Sequence, residues 1–357
     1  MTLESQAQNT QKIGSINTLR FIAAAFVVFY HYAFAFYYRD LSYVDLPFFR
    51  YIFQYGYLGV DLFFIISGFV ISLSAENRNA YNFFKSRVGR LYPVFWISAI
   101  ITTLFILFGG HLIYSEMSWS RFLTNMTMIP SFFNADPLDG TYWTLLLEMK
   151  FYFIILLLIL FKQFKRIEKF AIPLAVIMLA VSVFRPDLAA DSQWIWVPNF
   201  IAGVLFYKIY KEGLTNTRIF ALCTTLISSL VFALKRIPYL SEGYGIAFKP
   251  SVISLYILFF YLIFLLISLN KFKIPNNRFV NILGLLTYPV YLLHHQIGKI
   301  LFTYADIQNI PLYVSFTCMI LFIGVLSFAV HHIFESRGRK ILDKILDKSV
   351  PLKIKNL

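Results

Sequence analysis

The sequence predicts an all-α, polytopic integral membrane protein with about ten transmembrane helices. Three observations carry that prediction. Of the 357 residues, 59% are hydrophobic and only 14% are charged, and the mean hydropathy is +0.67, whereas a soluble domain is about one quarter charged. Apolar runs of about twenty residues recur along the chain, the length that crosses a hydrocarbon core of roughly 30 Å. With the N-terminus placed in the cytoplasm, 23 of the 32 Lys and Arg fall in the predicted cytoplasmic segments and 9 elsewhere, which is the positive-inside pattern.

The predicted spans are 16–36, 57–74, 91–110, 142–161, 170–185, 194–210, 216–234, 251–269, 281–301 and 311–333. The first holds "LRFIAAAFVVFYHY". The second is "YLGVDLFFIISGFVIS", where Ser67-Gly68 reads first as small-residue helix packing. The third follows the basic run "KSRVGRLYP", and the fourth is "LLLEMKFYFIILLLIL". The fifth and sixth are shorter, and "KQFKRIEK" precedes them. The eighth ends at "LNKFKIPNNR", a polar turn before the ninth. Both termini then lie in the cytoplasm. The organisation is a tail at 1–15, a single transmembrane domain at 16–335 and a basic tail at 336–357. "AFA" at 33–35 has the form of a signal-peptidase site. The apolar stretch before it is longer than a leader's, and the charge ahead of it is weak, so a retained helix is predicted.

The net charge of +14 follows from this topology and from attraction to anionic lipid. No module that interleaves aromatic and basic residues for nucleic acid is visible. Cys223 and Cys318 both sit in apolar runs, so no disulfide is predicted. No spacing of His and Cys predicts a metal site.

Ionisable groups inside the spans are expensive and therefore informative. At about 1.5 Å per residue, His31 lies roughly 22 Å from the cytoplasmic face, Asp61 roughly 24 Å, Glu148 about 21 Å, and His294 and His295 about 20–21 Å. One such group is usually a hydrogen-bonded helix partner. Four helices carrying His, Asp, Glu and His at one level predict a polar chamber in the outer half of the bilayer. An imidazole beside a carboxylate there makes a competent general base. Near the cytoplasmic face Arg87 and Arg90 stand one helical turn apart, and Arg20 lies about 6 Å inside the first span. The planar fork of arginine suits phosphate. Lys85 and Arg78 read as topology signals. Arg20 and His31 are eleven residues apart and share one helix face, about 16 Å apart along the axis. A phosphate-headed, long-armed donor anchored below, with its reactive end above, fits this pattern, and acyl-coenzyme A has that shape.

In order along the chain, "LRFIAAAFVVFYH", "YLGVDLFFIISGFVIS", "FFKSRVGRLYPVFW", "TYWTLLLEMKFYF", "LTYPVYLLHHQ" and "HHIFE" resemble membrane acyltransferase family 3, the O-antigen and exopolysaccharide O-acyltransferase type. The resemblance covers nearly the whole chain. It implies an enzyme of the bacterial inner membrane with no tightly bound cofactor. The enzyme moves an acyl group, most often acetyl, from cytoplasmic acyl-CoA to a hydroxyl of an extracytoplasmic glycan or lipid-linked sugar. By motif match it implies His31 as the base, Asp61 as its partner and Glu148 in the same catalytic group. Arg20, Arg87 and Arg90 would serve the donor. Trp143, Tyr288, His294 and His295 would bind substrate. The two adjacent histidines point about 100° apart on a helix, which leaves open which of them faces the site. Whether His31 deprotonates the acceptor or is itself acylated is open too. Candidate oxyanion donors are the backbone near Ser67-Gly68, Tyr288 and Lys150.

The rival reading is a proton-coupled secondary transporter or flippase, since buried His, Asp and Glu also build proton relays. No inverted repeat or pair of broken helices supports it. Consumption of acetyl-CoA by the purified protein separates the two.

Overall fold

The chain is described by a computed structural model covering residues 3–38, 47–113, 115–185 and 193–351. It is helical, with no strand among the described residues. The main helices are α1 (Leu3–Tyr30), α2 (Gly59–Ala75), α3 (Ala80–Gly109), α4 (Trp143–Leu160), α5 (Ile167–Phe184), α6 (Val197–Glu212), α7 (Asn216–Lys235), α8 (Pro250–Ser268), α9 (Arg278–Ile307), α10 (Leu312–Val330) and α11 (Ser336–Ser349).

The ends of these helices follow local chemistry. Asn79 caps α3, its side chain accepting the Asn82 N–H at 2.8 Å. Thr215 caps α7 in the same way through the Arg218 N–H at 3.2 Å. Each cap satisfies a backbone donor that has no partner within its own helix. Gly213, at φ +83°, ends α6, a conformation that only glycine adopts without strain.

Each of the ten predicted spans falls on a helix. Among the described residues, eight helical stretches are long and apolar enough to cross a membrane. The predicted spans outside those eight lie on α6 and α9, for physical reasons. α6 has 16 residues, and every one from Pro198 to Ile209 is buried. A helix enclosed by other helices gains little from a lipid-like surface. α9 carries Thr287, His294, His295, Gln296 and Lys299, which lower its hydropathy.

The chain divides into two compact units. The first comprises 1–23, 57–78 and 151–284. In it α2 and α6 meet backbone to backbone at two glycines. A Cβ on Gly68 would stand 2.2 Å from the Phe200 carbonyl oxygen, and one on Gly203 would stand 2.3 Å from that of Ile65. Small residues are what allow such an approach in a membrane. Arg218 donates to both carboxylate oxygens of Glu168, at 2.8 and 2.7 Å, and also bonds Glu212.

The second unit comprises 24–56, 79–150 and 285–357, of which 39–46, 114 and 352–357 lie outside the described residues. Here the basic tail predicted at 336–357 begins as α11, packed on the first turns of α3. Lys85 pairs with Asp347 at 2.6 Å, the Tyr81 hydroxyl donates to Asp347 at 2.8 Å, and Gly338 sits against Pro93.

Candidate active site: a histidine cluster in the second unit

The α-helical ladder of α1 stops at His31. Residues His31–Ala35 form one π-helical turn, closed by the Phe36 N–H donating to the His31 carbonyl. A π turn holds an extra residue, so it shifts the side chains after it off the helical stripe. Tyr32 is turned toward α9 and donates to the His294 carbonyl at 2.7 Å. Gly298 permits this, because a Cβ there would lie 2.6 Å from the Tyr32 ring.

α9 contributes His294 and His295, a turn and a half beyond Pro289. His294 is fully buried. Its Nδ1 lies 2.9 Å from the Tyr291 carbonyl and 3.2 Å from that of Val290, and its Nε2 lies 3.1 Å from His31 Nδ1. Carbonyls only accept, so His294 Nδ1 carries the proton. In the neutral ring Nε2 is then the acceptor, and His31 Nδ1 must donate to it. This puts the lone pair of neutral His31 on Nε2. The α9 backbone thus fixes the tautomers of two rings in series. The ring of His295 stands edge-on to His31, with centroids 4.6 Å apart.

The carboxylate built into this cluster is Asp139, from the segment preceding α4, and it is 1% exposed. Its Oδ1 accepts the Thr141 N–H at 2.8 Å and the Thr141 hydroxyl at 2.6 Å. Its Oδ2 accepts the Gln296 N–H at 2.7 Å. His295 Nδ1 lies 3.4 Å from Oδ1, a charge contact without hydrogen-bond alignment. Burial alone would push the Asp139 carboxyl up. The His295 imidazole, then His294 and the Thr141 hydroxyl, outweigh burial and hold it at about 2. Gly140 leaves space for the ring, since a Cβ there would stand 2.8 Å from His295 Cε1. The Tyr142 hydroxyl donates to the Leu292 carbonyl at 3.3 Å. Two neighbouring side chains of one loop thus fasten the α9 backbone on either side of the histidines.

The remaining predicted residues are placed as follows. Asp61 lies in the first unit, 2% exposed. Its Oδ1 accepts from Asn199 at 3.0 Å, and both its oxygens accept from the Arg236 Nη2 at 3.1 and 3.0 Å. The Arg236 guanidinium in turn lies 4.4 Å over the Trp196 ring. Arg20 is in the first unit and half-buried. On α3, Arg87 is buried above the Phe83 ring at 5.7 Å, and Arg90 is half-buried. Trp143 opens α4 and is exposed, while Glu148 is half-buried on the same helix. The Tyr288 hydroxyl donates to the Leu91 carbonyl at 3.4 Å. The structure therefore gathers His31, His294 and His295 around a carboxylate that the sequence reading missed. It also gives Asp61 an arginine partner that reading missed. Among the described residues, no group of three or more His, Cys, Asp and Glu is arranged to hold a metal ion.

The comparisons with known proteins agree with the motifs. The acyltransferase domain family matches residues 13–330. Nodulation protein 10 of Rhizobium leguminosarum bv. viciae is 24% identical over 183 residues, 43% of this chain and 50% of that protein, so the chain spans about half the length of that relative. A viral protein described as acetyltransferase ORF330, from Acidianus two-tailed virus, is 24% identical over 301 residues, 80% of this chain and 83% of its own length. No solved structure matches.

Proposed function

The chain belongs to membrane acyltransferase family 3, and we propose that it is an O-acetyltransferase carrying acetyl groups from cytoplasmic acetyl-CoA to a hydroxyl of an extracytoplasmic or lipid-linked glycan. Family membership makes it a membrane acyltransferase and favours the enzyme over a proton-coupled carrier. The observation that carries the mechanism is the tautomer chain from the Tyr291 and Val290 carbonyls through His294 to His31. His31 Nε2 takes the proton of the acceptor hydroxyl. The hydroxyl oxygen attacks the thioester carbonyl, and its C–O bond forms as the C–S bond breaks. The coenzyme A thiolate leaves and takes up the proton that His31 received. Asp139 sets His295 beside the imidazolium that forms in between. Arg87 and Arg90 bind the phosphates of the donor, and Glu148, Trp143 and Tyr288 line its path and that of the acceptor. Both termini lie in the cytoplasm of a bacterial inner membrane.

Membrane vesicles of defined orientation test this reading. Acetyl-CoA does not cross membranes, so inside-out vesicles carrying the protein should consume it and acetylate lumenal glycan, while right-side-out vesicles should not. Consumption from the outer face alone would reverse the topology, and consumption from neither face would refute acyl transfer. In the same assay Arg87→Ala and Arg90→Ala should each weaken donor affinity by about 10–100-fold, the equivalent of ~1.5–3 kcal/mol for charge-assisted phosphate contacts. Lysine at either position should restore part of it, since charge returns without the fork. Unchanged donor affinity in the double alanine variant would reduce these arginines to topology signals.

A further inference from the structure

Between α3 and α4, residues 106–136 enclose a cleft of about 920 Å³, within the size range of small-molecule sites. Its lining includes His111, Ser115, Glu116, Arg121 and Asp136. We propose that this cleft is the acceptor subsite and holds a neutral, hydroxyl-rich saccharide; the proposal rests on the acyltransferase reading above.

Three features of the lining point to that ligand. First, among the described residues the side-chain carboxylates of Glu116 and Asp136 have no hydrogen bond or ion pair, and both residues are exposed and line the cleft. A carboxylate offers two oxygens to paired O–H donors, and vicinal sugar hydroxyls supply such pairs. Second, the cation of the cleft is committed elsewhere. Arg121 Nη2 donates to the Pro137 carbonyl at 2.8 Å, and Nη1 donates to the Glu116 carbonyl and to the Ser115 hydroxyl, the latter at 3.4 Å. A guanidinium spent on carbonyls, flanked by two carboxylates, makes a poor phosphate site. The cleft therefore suits a sugar rather than a pyrophosphate linked to it. Third, Ile106, Leu107 and Met117 complete the wall, an apolar surface for the C–H face of a pyranose ring.

The cleft is also joined to the histidines. Gln296 Nε2 donates to the Ser115 hydroxyl at 3.2 Å, and the Gln296 N–H donates to Asp139. Gln296 follows His295 directly, so the hydrogen bond from its side chain ties the cleft wall at Ser115 to the helix that carries the histidines. A saccharide seated among Glu116, Asp136 and Ser115 would lie against the residue hydrogen-bonded to Gln296, the neighbour of His295.

The test uses the isosteric variants Glu116→Gln and Asp136→Asn, singly and together, with exposed Glu242→Gln as a control. Each full-length chain is returned to cells lacking the protein. O-acetyl content of the envelope glycan is measured by mass spectrometry, and acetyl-CoA binding is measured on the purified protein. The double variant should bind acetyl-CoA as wild type does while glycan acetylation falls at least tenfold; the control should change neither. Unchanged acetylation would overturn the assignment. So would a fall in acetyl-CoA binding that matches the fall in acetylation, because the carboxylates would then act on the fold or the donor. A wild-type protein that neither binds acetyl-CoA nor acetylates glycan would overturn the acyltransferase reading along with it.

Discussion

A His31→Ala variant is expected to insert normally, to bind acyl-CoA within about twofold of wild type, and to lose turnover by ~10²–10⁴-fold, the usual contribution of a general base. The reason lies in the order of the rings. His294 has its Nδ1 proton directed at the Tyr291 and Val290 carbonyls, so it can only receive from His31. Of this pair, His31 is the ring whose basic nitrogen, Nε2, is not used in the contact between the two. His294→Ala should be milder, because it removes the acceptor that fixes the His31 tautomer but leaves the base. Loss should appear in kcat and not in donor KM, since the interaction is made in the transition state. Near-normal glycan acylation by a well-expressed His31→Ala chain would sink the mechanism.

Asp139→Asn is expected to cost about 10–100-fold in turnover, equivalent to ~1.5–3 kcal/mol for a lost charge-assisted bond. Both Asp139 oxygens accept, one from Thr141 and one from the Gln296 N–H. A carboxamide satisfies one side and turns an NH₂ toward a donor on the other. The pH–rate profile distinguishes catalysis from scaffolding. Asp139 has its carboxyl held at about 2, so it stays ionised throughout the working range and any titrating limb belongs to the imidazoles. Removing its negative charge withdraws a counter-charge from the imidazolium that forms, so the limb on which activity rises with pH should move to lower pH. A variant that loses activity with an unmoved limb would make Asp139 a purely structural clamp.

Much of the fold was legible because lipid imposes length and apolarity on the helices that cross it. The clustered histidines were legible for a related reason: His31, His294 and His295 are costly where they stand, so their presence asked for an explanation. Asp139 gave no such signal. It lies just before α4, in a loop where a carboxylate is ordinary, and only the fold shows that it is 1% exposed. Arg236 was hidden in the same way, one residue past the end of α7. The sequence reading assigned an imidazole to Asp61. In the structure its oxygens are bonded to Arg236 and Asn199, a pairing that brings together residues 175 apart in the chain. The π turn at His31–Ala35 has no compositional signature, because Ala and Phe serve an α turn equally well. The short α6 shows the opposite limit, where burial on all sides removes the need for a lipid-like length.

The histidine chain ends in main-chain carbonyls, and that termination has an electrical consequence. A carbonyl cannot take a proton onward, so a proton landing on His31 has no exit through His294 into the protein. In the proposed mechanism it leaves with the departing thiolate. Each cycle of that mechanism is electroneutral and draws nothing from the proton-motive force. An acylation rate that varied with membrane voltage at fixed substrate would contradict this. On that mechanism a de-energised cell would still acylate its glycan for as long as it had thioester to spend.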